Sequence, residues 1–243
     1  MIYITGDMHG SLRGERLFPF KEGNRPEFME TITPEDALIV LGDFGYTWNK
    51  QLLNTYKYSF PTFTVDGNHD NFTILNKCPT ATMLGGEVGV IKDNVYRLKT
   101  GEVYDFNGIK MFVFGGALSI DKSMRTPYKS WWPEEIPTRD DYKRALENLE
   151  KANWDIDVFL AHTCPEDVCE EMFKYTYKVT DPTEKMLSEL EFEIKSHNPN
   201  ANYKFFFGHH HTFRLSEKYI CLYSEIMSLE KTSEGLITQV VES

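Results

Sequence analysis

Short apolar runs recur along the chain, and most are followed at once by glycine and polar residues. Met1–Thr5, Ala37–Leu41, Thr62–Val65, Val158–Ala161 and Tyr203–Phe207 are rich in β-branched, aromatic and aliphatic residues, the pattern of strands buried on both faces. Two stretches between them, Arg139–Lys151 and Thr183–Ser196, carry helical spacing, and in the first Tyr142, Ala145, Leu146 and Leu149 share one face. Val95–Ala117 alternates around Asn107-Gly108, a pair favoured in tight turns, and predicts a hairpin. Arg214–Val241 is a further β-rich stretch. Strands interleaved with helices predict a layered α/β or α+β architecture. No repeat, low-complexity tract or linker divides the chain, so one domain over residues 1–243 is expected.

Charge narrows the partners. Lys and Arg total 26 against 37 Asp and Glu, a formal net charge of -11, and no basic run offsets it locally. Such a chain repels nucleic acid and anionic membranes, so neither is an expected partner. Cys78, Cys164, Cys169 and Cys221 show no CxxC spacing and no zinc pattern with a candidate ligand histidine. They are expected to be reduced, mostly buried thiols. No apolar stretch approaches the ~20 residues that span a bilayer, and the N-terminus lacks the features of a signal peptide. A soluble cytoplasmic protein is the expectation.

Five polar clusters sit where the predicted strands end: Gly6-Asp7-Met8-His9-Gly10, Gly42-Asp43, Gly67-Asn68-His69-Asp70, His162, and Gly208-His209-His210-His211. Of the seven histidines, His9, His69, His162, His209 and His211 fall at these places; His210 lies inside the last cluster and only His197 lies elsewhere. Residues two apart on extended backbone point the same way, so Asp7 with His9, and His209 with His211, can each aim two ligands at one place. Any one cluster has an ordinary reading: Gly42-Asp43 as a turn, Asp70 or Asn71 as the cap of a helix starting near Phe72, His162 as a core histidine. The ordered set at successive strand ends does not. In layered α/β domains that edge is the usual binding site.

The series Asp7-x-His9, Gly42-Asp43, Gly67-Asn68-His69-Asp70, His162 and Gly208-His209-x-His211 resembles the calcineurin-like metallophosphoesterase superfamily, over most of the chain. The resemblance implies a four-layer sandwich, two mixed β-sheets flanked by helices on both outer faces. It implies one metal held by Asp7, His9 and His211 and a second by Asn68, His162 and His209, with Asp43 bridging and His69 facing a phosphorylated substrate. A shell of carboxylate, imidazole and one amide oxygen suits Mn, Fe, Co, Ni or Zn without choosing among them. Two such ions would clamp an in-line displacement, with a bridging water as nucleophile and His69 as general acid. The alternatives are a phosphodiesterase acting on cyclic nucleotides or nucleic acid, and a non-catalytic scaffold. Completeness of the ligand set favours the enzyme.

The second motif departs from the protein-phosphatase branch. That branch continues Gly-Asp-x-Val-Asp-Arg-Gly, with an arginine for phosphate and an acid that orients the histidine, whereas here the chain reads Gly-Asp-Phe-Gly-Tyr-Thr-Trp. A long segment of little regular patterning, Gly115–Asp141, follows a predicted strand and carries Arg125 and Trp131-Trp132. Segments of this length are often lids or binding loops. Its Gly115–Glu135 part is expected to close over the metals, with Arg125 gripping phosphate.

Overall fold

The structure is a computed structural model and describes residues 1–9, 31–45, 59–174 and 180–242. In chain order the strands are β1 (Ile2–Thr5), β2 (Ala37–Val40), β3 (Thr62–Thr64), β4 (Thr80–Met83), β5 (Gly86–Lys92), β6 (Val95–Leu98), β7 (Val103–Phe106), β8 (Ile109–Phe114), β9 (Val158–Ala161), β10 (Lys204–Phe207), β11 (Arg214–Leu215), β12 (Tyr219–Cys221), β13 (Ile226–Thr232) and β14 (Gly235–Glu242). The helices among the described residues are α1 (Phe72–Leu75), α2 (Arg139–Lys151), α3 (Glu166–Phe173) and α4 (Pro182–His197). The five strands read from apolar runs fall within a residue of their expected bounds.

Two sheets result, of eight strands in the order β14-β13-β1-β2-β3-β6-β5-β4 and of six in the order β11-β12-β10-β9-β8-β7. Both are mixed, as expected. β1, β2, β3 and β6 run parallel in the first, and β8, β9, β10 and β12 in the second. The two sheets face each other across one core. Ile4, Ile39 and Phe63 of the first meet Met111, Val113, Val158, Leu160 and Phe206 of the second. Neighbours on the same strands, Phe112, Phe114, Phe159, Phe205 and Phe207, point the other way and pack under Ala145 and Leu149 of α2 and Leu187, Leu190 and Ile194 of α4. Period-two alternation with both faces covered is why these runs are mostly apolar, with Lys110 and Lys204 only near strand starts. Fully burying each phenylalanine is worth about 1.5–3 kcal/mol.

On its outer side the first sheet carries Leu38, Val40, Phe44, Phe60 and Val95. Residues 10–30 and 46–58, which follow β1 and β2, lie outside the described residues. Gly10 of the first cluster and residues 46–48 of the second motif are therefore also outside them. No helix among the described residues is long and apolar enough to cross a membrane.

α2 begins at a capping box: the Thr138 hydroxyl accepts from Asp141 N–H at 3.1 Å, and the Asp141 carboxylate accepts from Thr138 N–H at 2.8 Å. Asn71 caps α1, its side-chain oxygen accepting from Ile74 N–H, while Asp70 turns back to accept from Gly67 N–H. The Val95–Ala117 hairpin needs correction. The hairpin is β7–β8 alone, turning at Asn107 and Gly108, both at positive φ as a two-residue turn requires. Val95–Leu98 belongs to the other sheet, paired to β3 and β5, and the chain crosses between sheets at residues 99–102.

Candidate metal centre

Parallel pairing sends β1, β2, β3, β9 and β10 out of the sandwich at one edge, and the clusters that follow them converge there. Asp7, His9 and His211 form one group whose ligand atoms lie within 4.8 Å of one another; Asp7, Asp43 and His162 form a second. His9 Nε2 and His211 Nε2 are 2.8 Å apart. On the other side, Asn68 Oδ1 lies 2.9 Å from His162 Nε2 and 3.1 Å from His209 Nδ1. All seven residues expected as ligands are thus brought together, with Asp7 and Asp43 between the two halves.

The backbone is bent to do this. His9, Asp43, His209 and His211 all have positive φ, between 49° and 65°. This conformation is unfavourable for side chains and tends to cluster at functional sites. Gly42 and Gly67 permit the close approach: a Cβ on Gly42 would sit 2.3 Å from His162 Nδ1, and one on Gly67 would sit 2.2 Å from Asp43 Oδ1.

Asp43 supplies the clearest sign that a cation fits. Its Oδ1 accepts from His69 N–H at 2.7 Å. Its Oδ2 is buried without a hydrogen bond, 3.5 Å from His162 Nε2 and 3.8 Å from His9 Nε2. A buried carboxylate oxygen facing imidazoles from both halves has the placement a shared cation demands. His162 is prepared in the same way. Leu41 C=O can only accept, so Nδ1–H donates to it at 2.7 Å and Nε2 faces Asn68 and Asp43. Burial alone would lower the His162 pKa, but the Asp43 and Asp7 carboxylates hold it at about 10. Burial pushes Asp7 above the usual carboxylate range, and burial pulls His9 down to about 4. Carboxylates and imidazoles here share protons that a divalent ion would displace.

His69 stands beside the centre, its ring centroid 5.6 Å from that of His9. Burial lowers its pKa, Asp43 opposes that and Arg125 adds to it. Arg125 Nη2 lies 3.4 Å from His69 Nε2. The Asp121 carboxylate takes the Nε and Nη2 edge of the guanidinium at 2.7 Å each, and Ser130 C=O accepts from Nη1. The loop that carries them is tied down at both ends: Gly116 N–H donates to Asp66 C=O, and buried Trp132 donates to the Thr73 hydroxyl. Between these ties Ile120, Met124 and Tyr128 stay exposed.

Sequence reasoning missed the residues that orient Asn68. Its side-chain N–H donates to Ser119 Oγ at 3.0 Å, Ser119 O–H donates to Glu135 Oε2 at 2.6 Å, and Ser119 N–H donates to Glu135 Oε1 at 2.9 Å. Glu135 is fully buried. This chain turns the Asn68 carbonyl oxygen toward the histidines. No local signal marks it, because its members lie 16 and 51 positions apart. Sequence reasoning also missed that Cys164 and Cys169 meet His210. A cleft of about 860 Å³ opens over the centre, with Asp43, Asn68, His69, His209 and His211 in its wall.

A two-sheet sandwich with paired Asp/His groups at one strand edge is the architecture of a metal-dependent hydrolase. The chain belongs to the calcineurin-like phosphoesterase family, whose description matches residues 1–213. It is a metal-dependent phosphoesterase, and the family implies a dinuclear divalent centre. Among solved structures it is similar to a phosphopantetheinyl hydrolase from Mycobacterium tuberculosis, at 19% identity over 91% of this chain and 87% of that one, with a TM-score of 0.39. No curated protein sequence matches it significantly.

Proposed function

We propose that the chain, as a single domain, hydrolyses the phosphate ester of a small molecule. One cation would be held by Asp7, His9 and His211 and another by Asn68, His162 and His209, with Asp43 available to both. The observation that carries this reading is Asp43 Oδ2, buried, unbonded and flanked by both histidine sets. When bound, the two ions supply Lewis acidity and an activated water. The protein's own groups do the rest. His69 protonates the leaving oxygen. Arg125 orients the phosphoryl group through the Nη1–Nη2 side of its fork, since Asp121 already occupies the other edge, with the Nη2 N–H that faces His69 Nε2 turning to a phosphate oxygen when substrate binds. Arg125 and Asp121 thereby stand beside His69, supplying from a later loop the residue types that the second motif lacks. Burial lowers the His69 pKa, and the negative charge of bound phosphate favours its protonated form.

The cleft wall favours a small substrate over nucleic acid. It carries Asp121, Glu166, Glu170 and Asp181 against Lys174, and a polyanion would be repelled along that wall. The test is a panel of aryl phosphomonoester, aryl phosphodiester, cyclic nucleotides, dinucleoside polyphosphates and an oligonucleotide, each with Mn. Turnover of a small ester, abolished by chelation and well above any cleavage of the oligonucleotide, is expected. Preferential cleavage of the oligonucleotide would overturn the small-substrate reading.

Two further outcomes follow from the geometry. Arg125→Lys keeps the charge but loses the planar fork, so KM for phosphate substrates should rise and inhibition by inorganic phosphate weaken, with both metals retained. An unchanged KM would place Arg125 outside substrate binding. Ser119→Ala removes the acceptor that orients the Asn68 amide, and metal affinity should fall roughly 10–100-fold by calorimetry. Unchanged affinity would show that Asn68 needs no such support.

A further inference from the structure

His210, the middle histidine of the 209–211 run, is not used by the dinuclear centre. Its ring stacks on Phe173 of α3 at 4.0 Å between centroids, and its Nε2 lies 3.8 Å from Cys164 Sγ. Cys164 is fully buried just after β9; Cys169 lies in α3 and also borders the cleft. The ligand atoms of Cys164, Cys169 and His210 lie within 4.8 Å of one another, and both cysteines are free thiols. We propose that Cys164, Cys169 and His210 form a separate binding site for one zinc-class ion.

The grouping is compatible with that ion, its ligand atoms lying within 4.8 Å of one another before any ion draws them in. Tetrahedral zinc, with Zn–S of ~2.3 Å and Zn–N of ~2.0–2.1 Å, places neighbouring ligand atoms roughly 3.6–3.8 Å apart. The 3.8 Å between Cys164 Sγ and His210 Nε2 is already such an edge. Four residues separate Cys164 from Cys169, the upper limit for paired zinc cysteines, and it is the fold rather than any sequence spacing that brings His210 to them. Two thiolates and an imidazole select zinc over manganese or magnesium, whereas the oxygen-and-imidazole shell of the neighbouring centre does not discriminate in that way. Three protein ligands leave a fourth position for water or for the Glu184 carboxyl, which shares the cleft wall with Cys169 and His210 and accepts from the Thr163 hydroxyl. A bound ion would tie the Gly208–His211 turn to the start of α3 and so steady His209 and His211 from behind. The inference stands on its own residues and does not depend on the dinuclear reading.

Cobalt titration of the reduced, metal-free protein tests it. Cobalt in this site should give sulfur-to-metal charge-transfer absorption in the near ultraviolet, whose final intensity corresponds to one thiolate-bound cobalt per chain and which zinc displaces. Cobalt held by Asp, Asn and His alone gives none. Cys164→Ser and Cys169→Ser should each abolish the band and lower the zinc count by one equivalent, and Asp43→Ala should keep the band whatever happens to the neighbouring centre. Should either cysteine variant fold poorly, X-ray absorption of the zinc-loaded wild-type protein decides, with zinc–sulfur scattering near ~2.3 Å expected. Cobalt loading without the charge-transfer band, a band that survives both cysteine substitutions, or zinc surrounded only by nitrogen and oxygen would overturn the proposal.

Discussion

Asp43→Ala is expected to empty both metal positions at once and to reduce turnover to background. Asp43 is almost completely buried, held at positive φ, and anchored through Oδ1 to His69 N–H. Its other oxygen faces His162 and His9, which belong to opposite halves of the centre. On the proposed assignment, removing the carboxylate would take a ligand from each ion and the negative charge that would draw both together. It also removes the acceptor that anchors the turn bearing His69. Asp43→Asn separates the contributions, because it keeps a ligand oxygen and removes the charge; metal binding should weaken but persist at high metal concentration. Elemental analysis after reconstitution reads the outcome. Loss of one ion from Asp43→Ala, with the other bound as tightly as before, would rule out sharing.

His69→Asn should lower kcat by roughly 10²–10⁴-fold, the usual cost of losing a general acid, while both metals stay bound. The ring stands at the edge of the centre beside Arg125, and its backbone rather than its side chain contacts Asp43. The loss should shrink as the leaving group of the ester becomes more acidic, since a stable leaving anion needs little protonation. An equal loss for alkyl and nitrophenyl esters would make His69 an electrostatic or structural residue instead. Arg125→Lys should not show this leaving-group dependence, which separates phosphate binding from proton transfer.

Much of the fold could be read from the chain because its central strands are covered on both faces. Val158–Ala161 carries no polar position, Tyr203–Phe207 has only Lys204 near its start, and α2 announces itself by the shared face of Tyr142, Ala145, Leu146 and Leu149. The clusters were legible because one edge of the sandwich collects residues that the chain spells out in order. What could not be read depends on contacts distant in sequence. Val95–Leu98 and Val103–Phe106 alternate alike, and nothing local says that one strand belongs to each sheet. The β4–β5 hairpin turns at Leu84-Gly85, with leucine at positive φ where asparagine would have signalled the turn. Glu135 reads as a surface acid in a polar stretch, yet it is the buried end of the chain through Ser119 to Asn68. His210 reads as a spare member of a histidine run until α3 brings Cys169 beside it.

Stepwise addition of Mn to the metal-free protein, following bound metal and ester hydrolysis together, decides whether the Asp/His centre works as a pair of cations. Manganese avoids a thiolate-rich site, so the count reports the Asp/His centre. Two equivalents per chain are expected, with full activity reached only as the second is taken up. Full activity at one tightly bound equivalent, unchanged by further metal, would contradict that pairing.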